Sequence, residues 1–168
     1  ENAAKLRGEA AAAFASLAEK QVNSTPETQY QIASAIAAQA LSLWRQGDSF
    51  GAEKLAREGM TRLTALQRKM PGDARVAIDL AAQQGIVATT LRDEGKSIEA
   101  RRLLMEGITA IEKGIVDYTD NWSARYLLAS LKWQLSGLLE QQGDGDEGTR
   151  LGMEAHDELK ALLKNPTM

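Results

Sequence analysis

The chain has one histidine, His156, followed directly by Asp157 and Glu158. An imidazole next to carboxylates is raw material for a metal site or a general acid–base pair. A metal site, however, needs three or four ligands on one face, and a triad needs a nucleophile held within reach. Adjacent residues on a helix do not face one another, so this trio is no metal site. Asp93-Glu94 and Asp144-Gly145-Asp146 are the other close carboxylates. The second resembles the start of a calcium loop, but the remaining oxygen ligands and the closing Glu are missing, so both pairs read as turn chemistry. Lys54, Arg57 and Arg62, like Arg101 and Arg102, alternate with acids and read as solvated helix faces. There is no cysteine, which excludes disulfides, thiolate zinc and thiol nucleophiles. Neither a phosphate-cradling glycine loop nor a Ser-x-x-Lys or His-Glu-x-x-His phrase is present. With 20 Lys+Arg against 23 Asp+Glu the net charge is −3, where a nucleic-acid groove would need a basic face. The expectation is a protein that is not an enzyme, uses no cofactor or metal, and does not bind nucleic acid.

The elements that position these residues follow from an internal repeat. The 168 residues are 43 % hydrophobic and 26 % charged, the composition of an ordinary folded chain. No apolar run approaches the about 20 residues needed to span a bilayer. Shifted by 48 residues, the sequence matches itself in three copies at Ala33/Ala81/Ala129, Leu43/Leu91/Leu139, Gly47/Gly95/Gly143, Leu55/Leu103/Leu151 and Glu58/Glu106/Glu154. Within a copy the apolar period is helical, as in Leu128, Leu131, Leu135, Leu138 and Leu139. Each copy is therefore a helical hairpin turning at its glycine, with Ser49, Ser97 and Asp144 available to cap the second helix. Ser24-Thr25-Pro26-Glu27 reads as a capping box that opens the first copy. Helices are expected near 2–21, 26–46, 49–69, 74–94, 97–116, 121–142 and 146–164. Asn165-Pro166 closes the last. The chain opens on Glu1 already in helical pattern, and 1–21 aligns with the second helix of a hairpin. It is thus expected to be a piece of a longer chain.

Small residues recur at Ala40/Ala88/Ser136 and Gly59/Gly107/Ala155. A mid-helix glycine costs about 1 kcal/mol relative to Ala. Keeping it twice in one column predicts close helix crossing there. His156 falls in the column of Met60 and Ile108 and is expected to be partly buried packing. Trp122 is expected to cover the end of the preceding hairpin.

These residues resemble the tetratricopeptide family. The middle copy matches through Ala88, Leu91, Gly95, Ala100, Leu104 and Gly107-Ile108. The third matches through Ser136, Leu139, Gly143, Gly148 and Ala155, and the first through Ala40, Leu43, Gly47, Ala52 and Gly59-Met60. The repeat is longer than the family's usual 34 residues, and Gln84 and Leu91 replace its early Trp and Tyr. The long form looks like the arrays of bacterial multidomain kinases and winged-helix regulators, with Asp120-Asn121-Trp122 as the opening phrase.

The resemblance implies an all-α, right-handed α-solenoid of about seven antiparallel helices. It would form a single domain over 1–168: a helix at 1–21, then repeats at about 24–71, 72–119 and 120–166. It also implies a concave wall made by the first helices, with Trp44, Arg45, Thr89, Arg92, Tyr126, Trp133 and Glu140 as partner-binding residues among small ones such as Ser34, Ala37, Gly85 and Gly137. Trp, Tyr and Arg dominate interface hot spots, which suits such a wall to a protein or peptide partner. The expected role is a scaffold or sensing module of a larger bacterial regulatory protein. A signalling-peptide receptor and a homodimerisation module are the alternatives. Either the cytoplasm or the periplasm fits.

Overall fold

The computed structural model describes residues 13, 25–115 and 121–164, and all its elements are α-helices. They are α1 (Pro26–Arg45), α2 (Ser49–Lys69), α3 (Ala74–Asp93), α4 (Ser97–Ile115), α5 (Trp122–Gln142) and α6 (Gly145–Leu163). Six helices are described where about seven were expected, because the helix expected over 2–21 lies, apart from Ala13, outside the described residues.

The helix starts follow local polar chemistry. Thr25 accepts from the Thr28 N–H at 3.2 Å, and Pro26 occupies the first turn, where its missing N–H costs nothing. Asp73 accepts from the Arg75 N–H at 3.0 Å and Asn121 from the Ala124 N–H at 3.1 Å. Two expected caps need correction. Asp48, not Ser49, caps α2, accepting from the Gly51 N–H at 2.9 Å. Asp144 stands at the cap position of α6 but makes no capping bond; its carboxylate instead pairs with Arg101 of α4 at 2.9 Å. The Ser24 end of the expected capping box lies outside the described residues; the Glu27 carboxylate reaches Arg75 and Gln31.

The three glycine turns share one geometry. Gly47, Gly95 and Gly143 have φ of 83°, 77° and 88°, a left-handed conformation that L side chains rarely adopt. The next residue's N–H then reaches back to the carbonyl of Leu43 (3.1 Å), Leu91 (2.8 Å) or Leu139 (3.0 Å). The matching Gly and Leu columns are thus the two sides of one repeated turn.

Each first helix packs most extensively on the helix after its turn, giving the pairs α1–α2, α3–α4 and α5–α6. Successive pairs join through α2 on α3 and α4 on α5. First helices also touch first helices, α1 to α3 and α3 to α5, whereas among the described residues second helices do not touch each other. The core lies between these layers. Ala33, Ala81 and Ala129 are fully buried, as are Leu63, Leu131 and Leu138.

The small columns do permit close approach. A Cβ on Gly107 would lie 3.1 Å from Gln84 Oε1 and 3.2 Å from Leu131 Cδ1. Gly59 is looser, its nearest neighbour being Gln83 Cγ at 3.4 Å.

Candidate functional site

The expected partner-binding residues fall on α1, α3 and α5, in three different situations. Trp44, Tyr126 and Trp133 are exposed, at 42 %, 46 % and 59 %. Arg45 is exposed and makes no ion pair among the described residues. Thr89 and Arg92 are half-buried and already engaged. The Thr89 hydroxyl lies 3.1 Å from both the Gly85 carbonyl oxygen and Gln134 Oε1, which ties α3 to α5. Arg92 pairs with its neighbour Asp93 at 3.1 Å. Tyr126 stacks on Trp122, with ring centroids 5.3 Å apart and planes 5° from parallel. The indole N–H of Trp122 is buried without a partner among the described residues.

Trp133 and Glu140 come together in a groove of about 420 Å³ between α5 and α6, with Gly137 beside them and Met153, His156 and Asp157 opposite. This corrects the expectation for His156. It is exposed on the groove wall, whereas Ile108 in the same column is buried. The physical reason is that α5 packs over the α3–α4 pair, and no described element packs over the α5–α6 pair. The residues opposite Trp133 were missed because an exposed Met or Asp on a second helix gives no signal of its own. The signal lay instead in one column, Ala37/Gly85/Trp133, where the largest side chain replaces two small ones.

A second hollow, of about 620 Å³, opens between the second helices α2 and α4, lined by Gln67, Ile98, Arg101, Arg102, Met105 and Lys113. Its arginines are partly spoken for: Arg101 pairs with Asp144, and Arg102 with Glu106 at 2.8 Å.

The polar chemistry of the first-helix layer centres on Arg75. Its guanidinium makes a two-pronged contact with Glu27 at 3.1 and 3.0 Å, meets Asp73 at 2.7 Å, and lies 4.6 Å from the centre of the Tyr30 ring. Hydrogen bonds from Arg75 hold both the Glu27 and Asp73 carboxyls below the ordinary range. Nearby Asp79 goes the other way. Burial pushes it up, outweighing the Ser34 and Tyr30 hydroxyls and the Arg75 charge, and its Oδ2 is buried without a hydrogen-bond partner among the described residues. Burial raises the Tyr30 phenol as well. In the α4–α5–α6 layer, burial works against the Lys132 ammonium. The Glu154 (2.9 Å) and Glu112 (3.1 Å) carboxylates nevertheless lift its pKa overall.

Among the described residues, no group of three or more His, Asp or Glu side chains is placed to hold a metal ion, and no helix is long and apolar enough to cross a membrane. Compared with protein-family models, curated proteins and solved structures, the chain matches none. The arrangement leaves exposed aromatic rings, Arg45 and Arg68 without an ion pair among the described residues, and a groove whose rim is acidic.

Proposed function

We propose that this chain is a right-handed helical-hairpin solenoid of the tetratricopeptide type. It acts as a protein-interaction or sensing module of a larger regulatory protein and holds a partner protein or peptide against its first helices. The observation that carries this reading is the contact pattern: first helices touch first helices while second helices stay apart among the described residues. Layers joined on one side only curve, and the joined side becomes the inner wall. Trp44, Tyr126 and Trp133 stand exposed on that layer. Large aromatics left in water suit an interface better than a packed core. The proposed role is binding without catalysis.

The test is a pull-down from the source lysate with wild type and an Arg45→Glu/Trp44→Ala variant, both checked for folding by circular dichroism. The reading predicts one or a few proteins retained by wild type and lost by the variant. Equal retention by both would remove the inner wall from consideration.

A further inference from the structure

Two of the three helix pairs have their outer groove filled by a single helix from the next pair, always at the same repeat position. Gln83 of α3 lies over Gly59, and Leu131 of α5 lies over Gly85 and Gly107. Gln83 and Leu131 are 48 residues apart, and both are almost wholly buried. The third groove, between α5 and α6, has no described helix over it, and Trp133 and Met153 are left 59 % and 63 % exposed.

Its residues have changed with that role. Trp133 stands where Ala37 and Gly85 stood. Gly137 stands where Leu41 and Thr89 stood, and Gly152 where Ala56 and Leu104 stood. Bulk has moved from the floor to one wall. A Cβ on Gly137 would meet nothing within 4 Å, so packing inside the pair does not require this glycine. The indole is far larger than the Ala37 and Gly85 side chains of the same column, both of which lie buried under the next pair. Glu140 and Asp157 stand exposed on the rim and make no ion pair among the described residues. Three other acids on α6 do have basic partners, Glu158 with Arg125, Glu154 with Lys132 and Glu147 with Arg150, while Asp146 at its first turn has none among the described residues.

We infer that the α5–α6 groove docks a single amphipathic helix of a protein partner. Its leucine-type stripe lies along Gly137 and Gly152 against Trp133, and its lysines or arginines face Glu140 and Asp157. A second copy of this chain is the poorer occupant, because a face-to-face pair would set Glu140 and Asp157 against their own like charges. The inference rests on the interaction-module reading and adds the groove to the inner wall as a second contact surface.

The probe is a synthetic Leu/Lys peptide of about 18 residues with leucines at helical spacing, long enough to be helical in isolation. Binding is followed through the three tryptophan indole N–H signals in NMR, with Trp133 assigned by a Trp133→Phe variant. Saturable binding that moves the Trp133 signal is expected. Gly137→Leu should fill the groove and weaken binding at least about tenfold without lowering the melting temperature. Glu140→Lys/Asp157→Lys should weaken it similarly and favour the matching Leu/Glu peptide. Arg68→Glu, on the exposed face of the second helix α2 and outside both surfaces, should leave peptide binding unchanged. The inference falls if binding is absent, or if Gly137→Leu binds as wild type does. It also falls if the Trp133 signal moves on raising protein concentration without peptide, since the occupant is then a second copy. If only the Arg45→Glu/Trp44→Ala variant loses the peptide, the inner wall stands and the groove falls.

Discussion

Asp79 sits where its charge is disfavoured. Its carboxylate is largely withdrawn from water and one oxygen lacks a partner among the described residues, which raises its pKa above the ordinary aspartate value. A folded pKa raised above the unfolded value gives stability that is present at low pH and lost as pH rises through the folded pKa. Asp79→Asn removes that loss. Its melting temperature should exceed wild type at neutral pH, with the gain shrinking as pH falls towards about 4, the ordinary aspartate range. A gain independent of pH would show that the carboxylate is not the cause. Glu27 and Asp73 have the opposite sign. Arg75 lowers both, so their contribution is present above the ordinary carboxylate range and fades as pH falls through the lowered values. They are exposed enough that solvent screens most of it.

At the scale of the element, caps and crossings decide. Asp48→Ala removes the bond to the Gly51 N–H at the start of α2 and should cost about 1 kcal/mol in a denaturant melt. Two glycine substitutions make an informative pair. Gly107 sits where α4 meets Gln84 of α3 and Leu131 of α5, so Gly107→Leu overpacks a crossing and should cost about 1–3 kcal/mol. For a chain of this size each kcal/mol moves the melting temperature by about 2–4 °C. Gly137→Leu adds the same side chain to a helix where a Cβ meets nothing, so its melting temperature should hold or rise. Equal effects from the two would mean that helix propensity alone is being measured. The recurrence of Gly59 and Gly107 at one repeat position was legible in the sequence. The openness of Gly137 was not, because an unrepeated glycine does not reveal whether it is needed.

Across the whole molecule, stability passes through the few side chains that join one helix pair to the next. Leu131 is fully buried between α5 and the α3–α4 pair, so Leu131→Ala should cost about 2–5 kcal/mol. In an array whose units contact only their neighbours, that loss uncouples one end from the rest. Hydrogen exchange should therefore speed up in α5 and α6 more than in α1 to α3. Uniform acceleration would instead mean that the chain unfolds as one unit.

The repeat, the glycine turns and the position of every described helix within a few residues could be read from sequence alone. Local rules govern them: a helical apolar period, a left-handed glycine, and a cap one residue either side of its expected place. The seven residues expected to bind a partner share positions on first helices, and such a position does not say how exposed each would be. Thr89 is held by Gln134 and Arg92 by Asp93, while Trp133 is left in water. Those fates depend on which helix lies over which, and burial is a property of neighbours distant in the chain. His156 shows this most plainly. It shares its column with a buried isoleucine, yet it is exposed, because α5 covers the α3–α4 pair and no described element covers its own.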